Sequence, residues 1–81
     1  MTMTTNKTAE EIVKELEEGK YWSIATSMYE EYFWCKDGEF HSSMENGYHD
    51  PKEKIFTKEM VMSEFTRALA DPEHYDVWNG F

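Results

Sequence analysis

The chain has 81 residues, with 17 acidic side chains against 8 basic ones and a formal net charge of −9. A chain of that length makes one domain, because two would each be too small to bury a core. The charge argues against direct contact with nucleic acid, whose phosphates need clustered lysine and arginine, and against an anionic membrane surface. It favours a partner with a basic surface, because opposite fields steer encounter.

Aromatic residues make up 16% of the chain. That share argues against wholesale disorder, where aromatics are scarce, and the three Trp, five Tyr and five Phe supply a core despite the short length. No apolar run approaches the roughly 18 to 20 residues that cross a bilayer. The opening residues lack the apolar stretch of a secretory signal, and the single Cys35 cannot form an internal disulfide. These features lead us to expect a cytoplasmic protein in a reducing compartment.

Residues 1–7 read as a flexible tail, and residues 8–81 as a single compact domain. Thr8-Ala9-Glu10-Glu11 has the form of a capping box, with Thr8 at the N-cap and Glu11 three residues on. A helix is expected from about Ala9 to Glu18, stopped by Gly19, with Ile12, Val13 and Leu16 as its apolar stripe. From Tyr21 the composition turns to β-formers. Tyr21 to Met28 alternates, with Trp22, Ile24, Thr26 and Met28 on one side, and Tyr29-Glu30-Glu31 is expected as the first turn.

Tyr32-Phe33-Trp34-Cys35 reads as a second strand. The Asp37-Gly38 pair that follows is the strongest short hairpin signal, since a type I′ turn needs positive φ at both central residues. Such a turn pairs Lys36 with Glu39, Cys35 with Phe40, Trp34 with His41 and Phe33 with Ser42. One face of the hairpin then carries Phe33, Cys35, Phe40, Ser42 and Met44, which we take as the core side. The other carries Tyr32, Trp34, Lys36, Glu39, His41 and Ser43.

Glu45 to Lys54 is expected as a loop, broken by Asn46-Gly47 and Asp50-Pro51. Thr57 is placed as the N-cap of a second helix, whose Val61, Phe65, Ala68 and Leu69 fall on one face. Asp71-Pro72 ends that helix and opens a short helical turn through Tyr75. The aromatic stretch from Val77 to Phe81 is expected to dock on the body. The predicted fold is therefore α+β in two layers: an N-terminal helix, a three-stranded antiparallel β-meander, a second helix and a short C-terminal helical turn. The sheet face away from the helices must meet solvent or a partner.

The charge is unevenly spread. Residues 21–50 hold six acids and one lysine, so more than half of the net charge lies on the sheet and its loops. Glu30, Glu31, Asp37 and Glu39 are the candidate charge contacts. Tyr32 and Trp34 are the candidate anchors, since Tyr and Trp are enriched at binding hot spots. A Trp among carboxylates suits an arginine-bearing partner through stacking and ion pairing together. Solubilising charge and aromatics covered by another element are the alternative readings of the same residues.

The spacings of His41, His49, His74 and Cys35 match no zinc or calcium motif. Cys35 and His41 fall on opposite faces of the hairpin, which separates them as a nucleophile and base, and no nucleotide or hydrolase motif occurs. Neither a metal, a cofactor nor catalysis is expected.

The acidic stretch from Glu10 to Glu18, the groups Glu30-Glu31 and Asp37-Gly38-Glu39, and the near absence of arginine give the chain a resemblance in size, charge and composition. It resembles the small acidic inhibitor proteins of phages and mobile elements, the anti-CRISPR proteins and DNA mimics. The resemblance implies occupation of a basic nucleic-acid channel on a host protein or complex, blocking it sterically without catalysis. A structural or adaptor module that dimerises through Tyr32 and Trp34 is the alternative expectation.

Overall fold

The computed structural model of the chain describes residues 5–45 and 52–80. Within them the order is α1 (Ala9–Glu17), β1 (Trp22–Ala25), β2 (Glu30–Lys36), β3 (Glu39–Glu45), β4 (Lys52–Phe56), α2 (Lys58–Leu69) and β5 (Asp76–Asn79). The five strands form one antiparallel sheet in the order β4-β3-β2-β1-β5. Both helices send their apolar faces into one core with the strand residues of a single sheet face. The fold is α+β, with two helices on a five-stranded sheet.

α1 forms where local chemistry dictates. The Thr8 hydroxyl accepts from the Glu11 backbone N–H at 3.2 Å, and the Glu11 carboxylate accepts from the Thr8 N–H at 2.9 Å, closing the capping box. At the other end, Lys20 N–H donates to the Glu15 carbonyl at 3.1 Å and Gly19 N–H to the Leu16 carbonyl at 3.0 Å. Gly19 adopts the left-handed φ of 97° that this double closure requires. α1 buries Ala9, Ile12, Val13 and Leu16. α2 starts at the Thr57 cap and buries Val61, Phe65 and Ala68.

The β2–β3 hairpin has the register expected of its turn. Asp37 and Gly38 sit at φ 53° and 81°, and Lys36 pairs with Glu39, Cys35 with Phe40, Trp34 with His41 and Phe33 with Ser42. Phe33, Phe40 and Ser42 are buried on the core side. Phe33 packs its ring on Phe65 of α2 and Phe56 of β4, with centroids 4.9 and 5.7 Å apart, and these tilted contacts join sheet to helix.

Three expectations require correction. The first turn is not Tyr29-Glu30-Glu31. Thr26 ends β1 early: its hydroxyl accepts from the backbone N–H groups of Met28 and Tyr29 at 3.2 and 3.3 Å, and its own N–H donates to the Tyr29 carbonyl at 2.8 Å. A threonine hydroxyl offers the backbone a local alternative to the ladder, so Met28 is 79% exposed and β2 begins at Glu30. The sheet is not a three-stranded meander, because Lys52–Phe56 pairs with β3. The C-terminal segment is not finished by a helical turn. His74 and Tyr75 N–H groups do close a single turn on the Asp71 carbonyl, but the chain then extends into β5, which pairs with β1.

Residues 5–7 are also tied down where a flexible tail is expected. Thr5 N–H donates to the Val77 carbonyl at 2.9 Å, and Lys7 pairs with Glu15 at 3.0 Å. The remainder of that tail, the turn residues Asn46-Gly47 and Asp50-Pro51, His49 and Phe81 lie outside the described residues.

α2 carries the chain from β4 at one edge to β5 at the other. Its 12 residues span about 18 Å at about 1.5 Å each, close to the width of five strands spaced about 4.8 Å apart. One helix therefore covers the full breadth of the sheet. Glu15 is the junction at the β5 side. It accepts from the Trp22 indole N–H at 3.1 Å and the Asn79 amide at 3.4 Å, and faces Lys7 at 3.0 Å and Lys20 at 3.9 Å. The Lys7 ammonium, with the Trp22 indole and Lys20 behind it, holds the Glu15 carboxyl below its ordinary pKa against the opposing effect of burial.

Two predictions follow from the packing. Phe65→Ala should cost about 3–5 kcal/mol, a large part of the stability of a domain this size, read as a fall in the urea midpoint at unchanged slope. Glu15 is ionised more readily in the folded chain, so its contribution is present above the ordinary carboxylate pKa and lost as pH falls through the lowered one. Glu15→Gln should therefore destabilise at pH 7 and match the parent chain near pH 3. An equal deficit at both pH values would assign the loss to packing.

Candidate binding face of the sheet

Strand alternation and the pairing register define the face opposite the helices. Trp34 of β2 is its centre. Its ring stacks on His41 of β3, with centroids 5.6 Å apart and planes 11° apart, and on Tyr32 of β2 at 5.8 Å and 27°. Tyr21, just before β1, closes on it from the other side at 5.9 Å. Ile55 of β4 pairs with His41 in the register and is 65% exposed. A transverse stripe of apolar and aromatic side chains thus crosses the sheet from β4 to the start of β1.

The next row alternates large and small residues. Trp78 pairs with Ser23, Ser23 with Tyr32 and Tyr32 with Ser43. Both serines are buried, while Tyr32, Trp34 and Trp78 are half-buried. The Ser23 hydroxyl donates to the Gly80 carbonyl, which fixes the end of β5 beside the face.

Carboxylates stand at both ends of this aromatic surface. At the hairpin end, exposed Glu39 follows Asp37 in the turn, and its Oε1 lies 3.9 Å from His41 Nε2. At the other end, β2 brings half-buried Glu30 and β5 brings half-buried Asp76 to the same row, each paired with Ala25 between them. The register pairs Glu30 with Glu45 across the hairpin.

Of the residues selected from sequence, Glu30, Tyr32, Trp34 and Glu39 therefore share this face, and Asp37 sits in the turn at its rim. Glu31 does not join them. Because β2 starts at Glu30, alternation turns Glu31 inward, where it is 5% exposed and its Oε2 accepts from the Ser42 hydroxyl at 2.8 Å. Burial pushes its carboxyl above the ordinary pKa, and Glu64 adds to the rise. The Ser42 hydrogen bond, Lys54 and Arg67 oppose it. Glu31 is a buried structural carboxylate and makes no surface contact.

Sequence reasoning missed Tyr21, Trp78 and Asp76. Trp78 and Asp76 belong to β5, whose only local signal is the alternation Asp76-Val77-Trp78-Asn79 over four residues. Cys35 packs against the core while His41 lies on the outer face. Among the described residues no three His, Cys, Asp or Glu side chains converge to hold a metal. No helix there is long and apolar enough to cross a membrane. No protein-family model, curated protein or solved structure matches the chain.

The inward carboxylate has a measurable consequence. With its folded pKa raised, Glu31 weighs least against folding below the ordinary carboxylate pKa, and stability falls as pH rises through the raised value. Glu31→Gln keeps an acceptor for Ser42 and removes the charge. It should raise the thermal midpoint at pH 8 more than at pH 4; the reverse order would contradict a carboxyl that ionises reluctantly.

Proposed function

We propose that this chain is a non-catalytic binding protein that inhibits a nucleic-acid-handling protein or complex, as anti-CRISPR proteins and DNA mimics do. It does so by laying an acidic surface against a basic groove in the host cytoplasm. The observation that supports this reading best is the outer sheet face, where a ring cluster centred on Trp34 has carboxylates at both ends and lies on the side away from both described helices. Rigid aromatic side chains supply contact area at low entropic cost. The carboxylates draw in a basic surface. A groove so filled is closed to nucleic acid by volume alone, and no chemical step is needed.

A dimer through the same rings is the second reading, favoured by exposed Ile55 beside His41. The charge weighs against it, because a two-fold pairing presents the same acidic patch from both copies.

The test uses purified chain as bait in host lysate, with a Glu30→Lys, Glu39→Lys double variant beside it. The expected result is a captured nucleic-acid-binding protein whose nucleic acid the pure chain displaces, with affinity falling about tenfold or more in the variant. Retention of that affinity in the variant, or failure to displace nucleic acid, would overturn the proposal.

A further inference from the structure

Three parts of the molecule lie outside the role proposed above: the shallow groove beside α2, the inward carboxyl of Glu31, and the C-terminal end of β5. The groove is lined by Lys58, Glu59, Met62 and Ser63, all from one helix. Glu31 has its hydrogen-bond partner in Ser42. The end of β5 carries more, because a reactive residue pair is held there by hydrogen bonds.

We infer that Asn79-Gly80 is a site of covalent self-modification, an intramolecular deamidation that closed β5 holds back and that opening of β5 releases. The inference is independent of what the outer face binds. In this reaction the Gly80 nitrogen attacks Asn79 Cγ and gives up its proton, which ends on the departing side-chain nitrogen. The new N–C bond closes a cyclic imide, and the old C–N bond breaks to release ammonia. Water then opens the imide at either carbonyl. One product has an aspartate in place of Asn79. The other has an isoaspartate, whose main chain runs through the side-chain carboxyl carbon. Water is the only co-reactant, and either product adds one negative charge.

The first support is the residue that follows Asn79. Gly80 sits at φ 99°, a conformation that residues with a side chain rarely adopt. A Cβ placed there would meet no atom within 4 Å, so backbone conformation and not crowding favours glycine. A glycine nitrogen is also the least shielded backbone nucleophile, since no Cβ stands beside it. The conformation that ends β5 thus sets the most reactive kind of neighbour next to an asparagine.

The second support is how the folded chain holds the reacting groups. The Gly80 N–H donates to the Tyr21 carbonyl at 2.7 Å, which retains the proton that the reaction must remove. The Gly80 carbonyl accepts from the Ser23 hydroxyl. The Asn79 side-chain amide donates to Glu15 Oε1 of α1 at 3.4 Å. The nucleophile is tied to the β1 side and the electrophile to a helix.

The third support is the place of the pair in the sheet. β5 is four residues long and lies at the sheet edge beside β1. Short edge elements open at a lower free energy than the core, and opening frees the Gly80 nitrogen and the Asn79 amide in one event. The product then closes poorly. Its donor to Glu15 is gone, and the new carboxylate stands beside one that Lys7 and Lys20 already face at 3.0 and 3.9 Å. An isoaspartate also lengthens the main chain, which shifts Gly80 out of register with Tyr21 and Ser23. Deamidation is therefore a one-way change that loosens the β5 edge.

The experiment incubates the full chain at pH 8, folded and in urea, and follows its tryptic peptides by mass and isoaspartate content. Cleavage after lysine and arginine places Asn79, Asn46 and Asn6 in separate peptides. Conversion at Asn79 is expected to be slower by about tenfold or more in the folded chain than in urea. Ser23→Ala removes the donor to the Gly80 carbonyl and should speed the folded reaction about two- to tenfold. Should that variant not fold, hydrogen-exchange protection of the Gly80 amide in the parent chain reports the same opening, and should match the slowing within about threefold. The converted chain should melt below the parent.

An Asn79 peptide that stays unchanged in urea would overturn the site. Equal rates in the folded chain and in urea, an unchanged rate in folded Ser23→Ala, or Gly80 protection far from the measured slowing would overturn control by β5. A converted chain that melts with the parent would overturn the loosening.

Discussion

Everything in this molecule hangs on the register of the β2–β3 hairpin. Side chains alternate with a period of two, so a slip of one residue would put Trp34 and Tyr32 into the core and Phe33 and Phe40 into water. The turn prevents it. Asp37 and Gly38 both sit at positive φ, and that two-residue turn admits only one pairing of the strands it joins. From that pairing follow the two faces of the sheet: one supplying Phe33 to the helices, the other assembling rings around Trp34.

What was legible in the sequence is what local chemistry decides. The α1 cap is made by four consecutive residues, and the hairpin by two, so both can be read from short words. The core side of the hairpin follows from the same turn. The apolar stripes of the helices follow from their period, and Phe65 lands where that period puts it.

What was not legible depends on competition or on distance. Thr26 continues the alternation of Trp22 and Ile24 and looks like a strand residue, yet its hydroxyl captures the next two free N–H groups and stops the strand. Moving β2 forward by two residues is what sends Glu31 inward. Lys52–Phe56 holds three charges in five residues, a poor strand by propensity, and is accepted because it lies at an edge where charge also discourages further pairing. β5 is four residues long and is defined as a strand by its non-local pairing with β1. The pair of elements that the sequence hid thus flanks the sheet, and one of them brings Trp78 and Asp76 to the candidate site.

The β1–β5 pairing has a consequence for how the face is assembled. The strands from β1 to β4 are joined in sequence order and close short loops. The contact of Ser23 with Gly80 closes 57 residues, and the entropy of closure rises with that separation. α2, lying across the sheet, is what brings β5 to its edge beside β1. The ring of Trp78 thus reaches the outer face through the most non-local pairing of the sheet, and those of Trp34 and Tyr32 through the local β2–β3 hairpin. The two sides of the outer face therefore differ in the chain closure they require, the Trp34 side resting on a two-residue turn and the Trp78 side on a contact 57 residues long.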